Sequence, residues 1–359
     1  MSACYLLTLQ PMEPYFFGNE KTFSFDPKTP ADNRYFIRSE RMPLQTTVLG
    51  ALRYLLMPVK NPGYRYTQAQ QLQNEAVIGP ASFQMDGEKQ SFGAIEKISP
   101  LFLVNGQEKY VRTPFNHNTK AAQRYTPLCS PCEVISDQGI LWFYPDFSAK
   151  DGIADSYMNT RDGSLVKADS IFSSNVRVGI SKGQKEKGFY KKQRMSLEKG
   201  WSFGAYVTLD SRRIEEDPRA KAALAALKEG TVVHLGQNKS VFAVRIREEA
   251  NTLAEDVSRL LQPGVVYCLG DAHVSGSVYT PCLFAATQLR DYRAYRTVFV
   301  RKENEDAYIG TVRKEAYLYK LLCAGSVLIP KPEEDIHSYF KNENCQQIGF
   351  NIIVPNMED

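Results

Sequence analysis

Trp201-Ser-Phe-Gly-Ala-Tyr-Val-Thr-Leu209 is the stretch on which the fold turns. Trp201, Phe203, Ala205, Val207 and Leu209 share one side of it, the period-2 mark of a half-buried strand. Downstream, Asp217-Pro218 joins an N-cap to a first-turn proline. Ala220, Ala223, Leu224 and Leu227 then line a helical face, and Gly230 stands where a helix ends. Residues 231–235 and 241–246 read as two strands around a turn from Gly236 to Ser240. Upstream, residues 170–180 read as a strand and 181–199 as a basic, glycine-containing loop. Farther out, residues 4–9 form a short apolar run before Pro11, consistent with a buried strand. Pro43 and Pro58 bound a helix whose apolar face is Leu44, Val48, Leu52, Leu55 and Leu56. Gly50 in its middle costs about 1 kcal/mol relative to Ala, so a packing or close-approach reason for it is expected. Strand, helix, strand, strand, helix, strand is the ferredoxin-like βαββαβ order, which RNA-recognition modules also use. The expected fold class is α+β.

Residues 60–170 are the least regular part. Asn105-Gly106 is a strong hairpin turn and residues 141–144 suggest a strand, but the rest reads as an insertion draped on a core. Residues 248–359 fit a second, smaller α+β unit, with a helical pattern over 253–261, strands at 265–269 and 297–301, and Ala324-Gly325-Ser326 turning into a strand. The expected domains are therefore 1–247 and 248–359. A length of 359 residues suits two domains of ordinary size.

Hydrophobic residues make up 43% and charged residues 23%, which excludes a chain disordered throughout. The mean hydropathy is −0.36, and no apolar run is long enough to span a membrane. The start, MSACYLLTLQPMEP, reads as a strand rather than a signal peptide. Seven cysteines, an odd number, do not resemble a disulfide framework. The expectation is a cytoplasmic protein with reduced thiols and no membrane partner.

The net charge of +4 is mild, but its distribution is not. Between Arg177 and Trp201, eight basic residues face only Glu186 and Glu198, leaving the remainder of the chain slightly acidic. Such a concentration is the electrostatic footprint of a polyanion site. Within it, Gly179, Gly183 and Gly188 allow close backbone approach to phosphates. Lys182, Lys185, Lys187, Lys191, Lys192 and Arg194 supply counter-charge, with Arg177 just ahead. Phe189 and Tyr190 offer faces for base stacking. Neither a Walker loop nor a dinucleotide fingerprint is present. A solvated hairpin whose lysines serve solubility is the plainer alternative.

A second constellation surrounds the start of the first helix. Thr46 and Thr47 sit at its N-terminus, Arg38 and Arg41 lie just ahead, and Arg53 lies two turns inside. A helix start with free amides favours an anion; a capped core helix with surface arginines is the alternative. Cys129-Ser-Pro-Cys132 has metal-ligand spacing, but zinc needs about four ligands and only His117 lies nearby, so two thiols are expected. His117, His234, His273 and His337 are scattered, and no nucleophile motif accompanies them. Arg290, Arg293 and Arg296 interleave with Tyr292 and Tyr295, which could serve RNA, but Asp291 and the acidic residues at 303–306 dilute that charge, so an exposed face is expected.

These residues carry a family resemblance. Pro14-Tyr-Phe-Phe-Gly18, Phe36-x-Arg38 and Pro43-x-x-Thr46-x-x-Leu49-Gly50-Ala51-x-Arg53 resemble the N-terminus of a CRISPR RAMP subunit. The third-subunit family of the type III-B, or Cmr, effector complex is the nearest resemblance, with the equivalent type III-A subunit a close competitor. Val176-Arg-Val-Gly179-Ile180, Gly188-x-Tyr190 and Gly200-x-x-Phe203 resemble that family's central motif, and Ala324-Gly325-Ser326-Val327 its late glycine turn. The resemblance implies tandem ferredoxin-like RAMP domains without catalysis or cofactor. It implies a subunit that holds the 5′ handle of the CRISPR RNA and bridges the large polymerase-like subunit and the backbone RAMP filament. It implies a thumb hairpin between the second and third strands, where the basic loop lies. Arg38, Thr46, Thr47 and Arg53 would then line the handle groove.

Two rival readings remain. A RAMP endoribonuclease needs a general base, most often His, and no histidine lies between residues 1 and 116. A protein-only assembly piece would turn the basic loop toward an acidic partner. Finally, the aromatic stretch Tyr15, Phe16, Phe17, with Phe23 and Phe25, carries more apolar surface than a small second domain covers. It is expected to dock on a partner, which the resemblance makes the large subunit.

Overall fold

The computed structural model describes residues 2–18, 36–181, 188–236, 239–301 and 308–355, except 62, 64, 81, 122, 130, 131, 138, 148, 149 and 151. The apolar run at the start is the strand Ser2–Pro11. It lies antiparallel between Trp201–Asp210 and Ser240–Glu248, with Leu9 opposite both Phe203 and Val244. A strand with neighbours on both edges and cover on both faces buries consecutive side chains in its middle, as Tyr5, Leu6 and Leu7 do here.

Around these strands runs a nine-stranded sheet. Its order is Leu165–Lys167, Ser156–Asn159, Glu108–Arg112, Phe102–Asn105, Trp201–Asp210, Ser2–Pro11, Ser240–Glu248, Thr231–Leu235, and Ile95–Ile98 also pairs with Trp201–Asp210. Trp201–Asp210 departs from the expected half-burial: Ala205, Tyr206 and Val207 are all buried. Phe203, Ala205, Val207 and Leu209 join one hydrophobic cluster with the helices Gln45–Leu56 and Pro218–Glu229. Tyr206 faces the other way, into a cluster with Tyr267, Val327 and Val354 from the C-terminal part. The C-terminal residues thus cover the second face.

Asp217 caps Pro218–Glu229 by accepting from the amides of Arg219 and Ala220, and Gly230 follows at φ +111°. Asn105-Gly106 makes the expected hairpin turn, with Gly106 at φ +63°. The C-terminal part holds a four-stranded sheet in the order Cys282–Ala286, Val327–Pro330, Val266–Cys268, Ile353–Val354. It also holds the hairpin Tyr295–Arg301 with Tyr308–Lys314, whose second strand pairs with Arg65–Tyr66.

Two expectations need correction. Residues 60–170 are not an insertion draped on a core, because Phe102–Asn105, Glu108–Arg112, Ser156–Asn159 and Leu165–Lys167 extend the main sheet. Conversely, the strand read at 170–180 does not join that sheet. It is Phe172–Ser181, paired with Gly188–Leu197, which in turn takes Phe36–Ile37. Residues 173–178 are exposed; the hairpin has too few apolar side chains to be covered on both faces. Phe102–Asn105 occupies the sheet position beside Trp201–Asp210 instead. The overall class is mixed α/β with many strands and few helices.

Candidate nucleic-acid interface

The basic hairpin is fixed at its root. Tyr15 and Met195 exchange backbone hydrogen bonds of 2.8 and 2.9 Å. Arg194 Nη2 donates to Ser240 Oγ at 3.1 Å, and Ser240 Oγ donates to Pro14 O at 3.3 Å. Lys192 lies almost fully buried, its ammonium 4.0 Å from the Phe16 ring centre. Burial, assisted by nearby Arg194, pushes the Lys192 pKa down. Lys192 and Arg194 therefore turn toward the protein, unlike the phosphate contacts expected of them.

Above the root the residues turn outward. Arg177 and Lys191 are exposed, and Phe189 is 64% exposed. Val176, Val178, Phe189 and Lys191 share one side by the strand register, giving a mixed apolar and cationic face. Gly179 opposes Tyr190, and a Cβ there would stand 2.4 Å from that ring. The glycine seats a tyrosine ring rather than bending around a phosphate. The expected contacts Lys182, Gly183, Lys185 and Lys187 lie outside the described residues, and Gly188 is described only as the strand partner of Ser181. Arg38 sits beside the root, its guanidinium 5.3 Å from the Phe36 ring centre.

Tyr15, Phe16 and Phe17 are at most 4% exposed. Tyr15 and Phe17 pack on each other and on Phe203 and Phe242 with ring centres 5.0–6.3 Å apart. Tyr15 Oη donates to Arg41 O at 2.6 Å, and Phe17 N donates to Ser39 Oγ at 3.0 Å. These three rings fill the chain's own core, which corrects the expectation of a partner-facing surface for them; Phe23 and Phe25 lie outside the described residues. Phe203 and Phe242, on strands far away in the chain, supply the apolar faces that cover Tyr15 and Phe17.

The first helix borders a groove of about 490 Å³. Thr47, Gly50 and Tyr54 of that helix line it together with His234, Lys239, Phe299 and Val312 from distant strands and turns. Gly50 is the informative residue: a Cβ built on it meets nothing within 4 Å. No packing within the chain calls for glycine there. Arg53 also borders the groove, but its Nε and Nη2 donate to Ile78 O and Gly79 O at 3.0 and 2.8 Å. Its burial lowers the pKa to about 10, so it stays cationic at neutral pH while holding the end of the helix Gln68–Ile78. Thr46 does not line the groove. His234 Nδ1 donates to Lys239 O at 2.8 Å, which sets the ring beside the opening. Tyr54, His234, Lys239 and Phe299 escaped the sequence reading because distant segments bring them together; Gly50's helical cost was the one signal.

Arg41, expected to meet an anion at the helix start, is internally paired. Its Nη1 donates to both Asp155 oxygens at 2.7 and 2.8 Å, and Arg112 Nη1 donates to Asp155 Oδ1 at 2.8 Å. Burial raises the Asp155 pKa, but these hydrogen bonds and charges outweigh it and hold the carboxyl below its usual value. The late glycine turn packs beside this cluster: Gly325 has φ +97°, and a Cβ there would strike Phe115 and Arg112 at 2.6 and 2.7 Å. Cys129 Sγ donates to Asp146 Oδ1 at 3.1 Å. Among the described residues no group of three His, Cys, Asp or Glu is placed to hold a metal, no helix is long and apolar enough to cross a membrane, and the seven cysteines are free thiols.

A many-stranded α/β chain with a rooted basic hairpin and an aromatic-lined groove fits the class of CRISPR effector subunits that its motifs resemble. The sequence model of a family described as CRISPR-associated protein (Cas_Cmr3) matches residues 7–267. The chain belongs to this family, the Cmr3-type subunits of type III-B complexes. No curated protein matches the sequence. Among solved structures, the chain is similar to one in a type III-B Cmr-beta complex bound to cognate target RNA, at 10% identity and TM-score 0.49, covering 97% of this chain and 96% of that one. A chain of a Csm3–Csm4 subcomplex from a type III-A interference complex is similar at 10% identity and TM-score 0.39, covering 91% and 93%. Both scores lie below 0.5, and the family assignment rests on the sequence match.

Proposed function

We propose that this chain is a non-catalytic subunit that holds the 5′ handle of the CRISPR RNA and joins the large polymerase-like subunit to the backbone filament in the cytoplasm. In this reading the chain comprises two ferredoxin-like units, residues 1–247 and 248–359, with the basic hairpin as thumb. The order Ser240–Glu248, Ser2–Pro11, Trp201–Asp210, Phe102–Asn105 supports the first unit, since it places fourth, first, third and second strands side by side. The observation that carries the reading is Gly50, a helix-interior glycine facing open groove. It leaves room for a backbone or base to approach the helix, with Lys239 and Arg53 for charge and Tyr54 and Phe299 as aromatic surfaces. Splayed single-stranded RNA presents the bases and phosphates such a groove can use.

Fluorescence anisotropy with labelled handle RNA tests this. Gly50→Leu is expected to weaken binding at least tenfold without loss of melting temperature. Replacing Lys182, Lys185 and Lys187 by Ala is expected to weaken it as well and to flatten the salt dependence by roughly 0.7 for each phosphate no longer neutralised. Wild-type affinity and slope in both variants would end the proposal.

His234 favours a second reading, the RAMP endoribonuclease, because it stands at the groove that the first helix borders. Metal-independent cleavage of repeat RNA, abolished in His234→Ala, would establish that reading in place of the scaffold.

A further inference from the structure

The strands Cys132–Ser136 and Gly139–Phe143 form a two-stranded sheet joined to no other strand among the described residues. A lone hairpin is marginally stable in water. Here the root is secured. Asp146 accepts from Cys129 N, Cys129 Sγ and Asn118 Nδ2 at 3.0–3.1 Å, and the Tyr144 ring stands edge-on to Phe284 with centres 4.2 Å apart. Beyond that root Val134, Ile135, Ile140 and Phe143 are exposed.

Ile135 pairs with Ile140 on one side of it, and Cys132 pairs with Phe143 on the other. Ile135 is 82% and Ile140 60% exposed, and on the opposite side Val134 and Phe143 are 42% and 45% exposed. Apolar side chains therefore face solvent on both sides. A sheet lying flat on a neighbour would need only one such side, so two imply enclosure.

Charge identifies the kind of occupant. From residue 125 to 149 the only charged side chains are Glu133, Asp137 and Asp146, with no Lys, Arg or His among them. Asp146 is committed to the root, whereas Glu133 and Asp137 are exposed on the ribbon. A polyanion such as RNA is repelled by this element. A protein cleft with apolar walls and a Lys- or Arg-rich rim complements it.

We propose that this hairpin is a docking wedge that inserts into an apolar, basic-rimmed cleft of another protein subunit of the effector complex. The inference rests on the scaffold reading for the identity of the assembly, but not on where RNA binds. The full chain would be co-expressed with the other complex subunits, and the assembled fraction measured by size exclusion after nuclease treatment. Two double variants are compared with wild type: Ile135→Ser with Ile140→Ser, and Glu133→Lys with Asp137→Lys. Handle-RNA affinity and melting temperature are measured on the same preparations. Both variants are expected to lower the assembled fraction at least tenfold, with affinity and melting temperature unchanged. Normal assembly of either variant overturns the wedge. A drop in melting temperature matching the assembly loss also overturns it, by placing the hairpin against its own chain. A loss of RNA affinity with intact assembly overturns it in favour of an RNA-binding role. If wild type assembles through the hairpin yet never binds handle RNA, the handle reading fails while the wedge stands.

Discussion

The Lys192 ammonium lies 4.0 Å from the centre of the Phe16 ring. The contact ties the root of the basic hairpin to the aromatic core of the main sheet. A cation over an aromatic face contributes about 0.5–2 kcal/mol, and here it offsets the burial that depresses the lysine pKa. Because these effects oppose each other, Lys192→Met is expected to shift stability by less than about 1 kcal/mol. Handle-RNA affinity should hardly change in Lys192→Met and fall in Lys191→Ala. Thermal unfolding and anisotropy on the two variants check this; equal affinity losses would put Lys192 at the RNA after all.

Phe17 is buried against Tyr15, Phe203 and Phe242. Phe17→Ala is expected to cost about 3–5 kcal/mol, the usual range for a truncated core aromatic. Urea unfolding measures it. Assembly at low temperature, where the variant is folded, should match wild type.

Two glycines are expected to respond with opposite sign. Gly50 faces open space within a helix, so Gly50→Ala should raise stability by about 1 kcal/mol. Gly79 has φ +75°, and a Cβ there would stand 2.1 Å from Ser91 O, so Gly79→Ala should destabilise the chain substantially. Melting temperatures of the pair give both signs in one experiment.

Asp155 links stability to pH. Its folded pKa lies below the usual carboxylate value because Arg41 and Arg112 outweigh the effect of burial. Its contribution is therefore complete above the unfolded pKa of about 3.9 and disappears as pH falls through the lower folded value. Melting temperature followed from pH 7 down to about 3 should fall less steeply in Asp155→Asn than in wild type, with the curves separated at neutral pH and converging in acid.

Local signals in the chain were sufficient for several elements. The apolar run at 4–9, the strand over 201–209 though not its half-burial, the Asp217 cap with Gly230, and the Asn105-Gly106 turn all correspond to what forms. Each depends on residues a few positions apart, and short-range sterics and hydrogen bonding act at that distance. The concentration of charge between Arg177 and Trp201 is equally plain in the sequence, as are the motifs that carry the family.

Tertiary structure decided the rest. It placed Phe102–Asn105 beside Trp201–Asp210 and sent Phe172–Ser181 to a separate hairpin. It turned Tyr15, Phe16, Phe17 and Lys192 inward, and it assembled Gly50, His234, Lys239 and Phe299 around one groove. Periodicity tells which side chains share a face. What covers that face depends on pairing between segments far apart in the chain, and the free energy of that burial belongs to both partners at once.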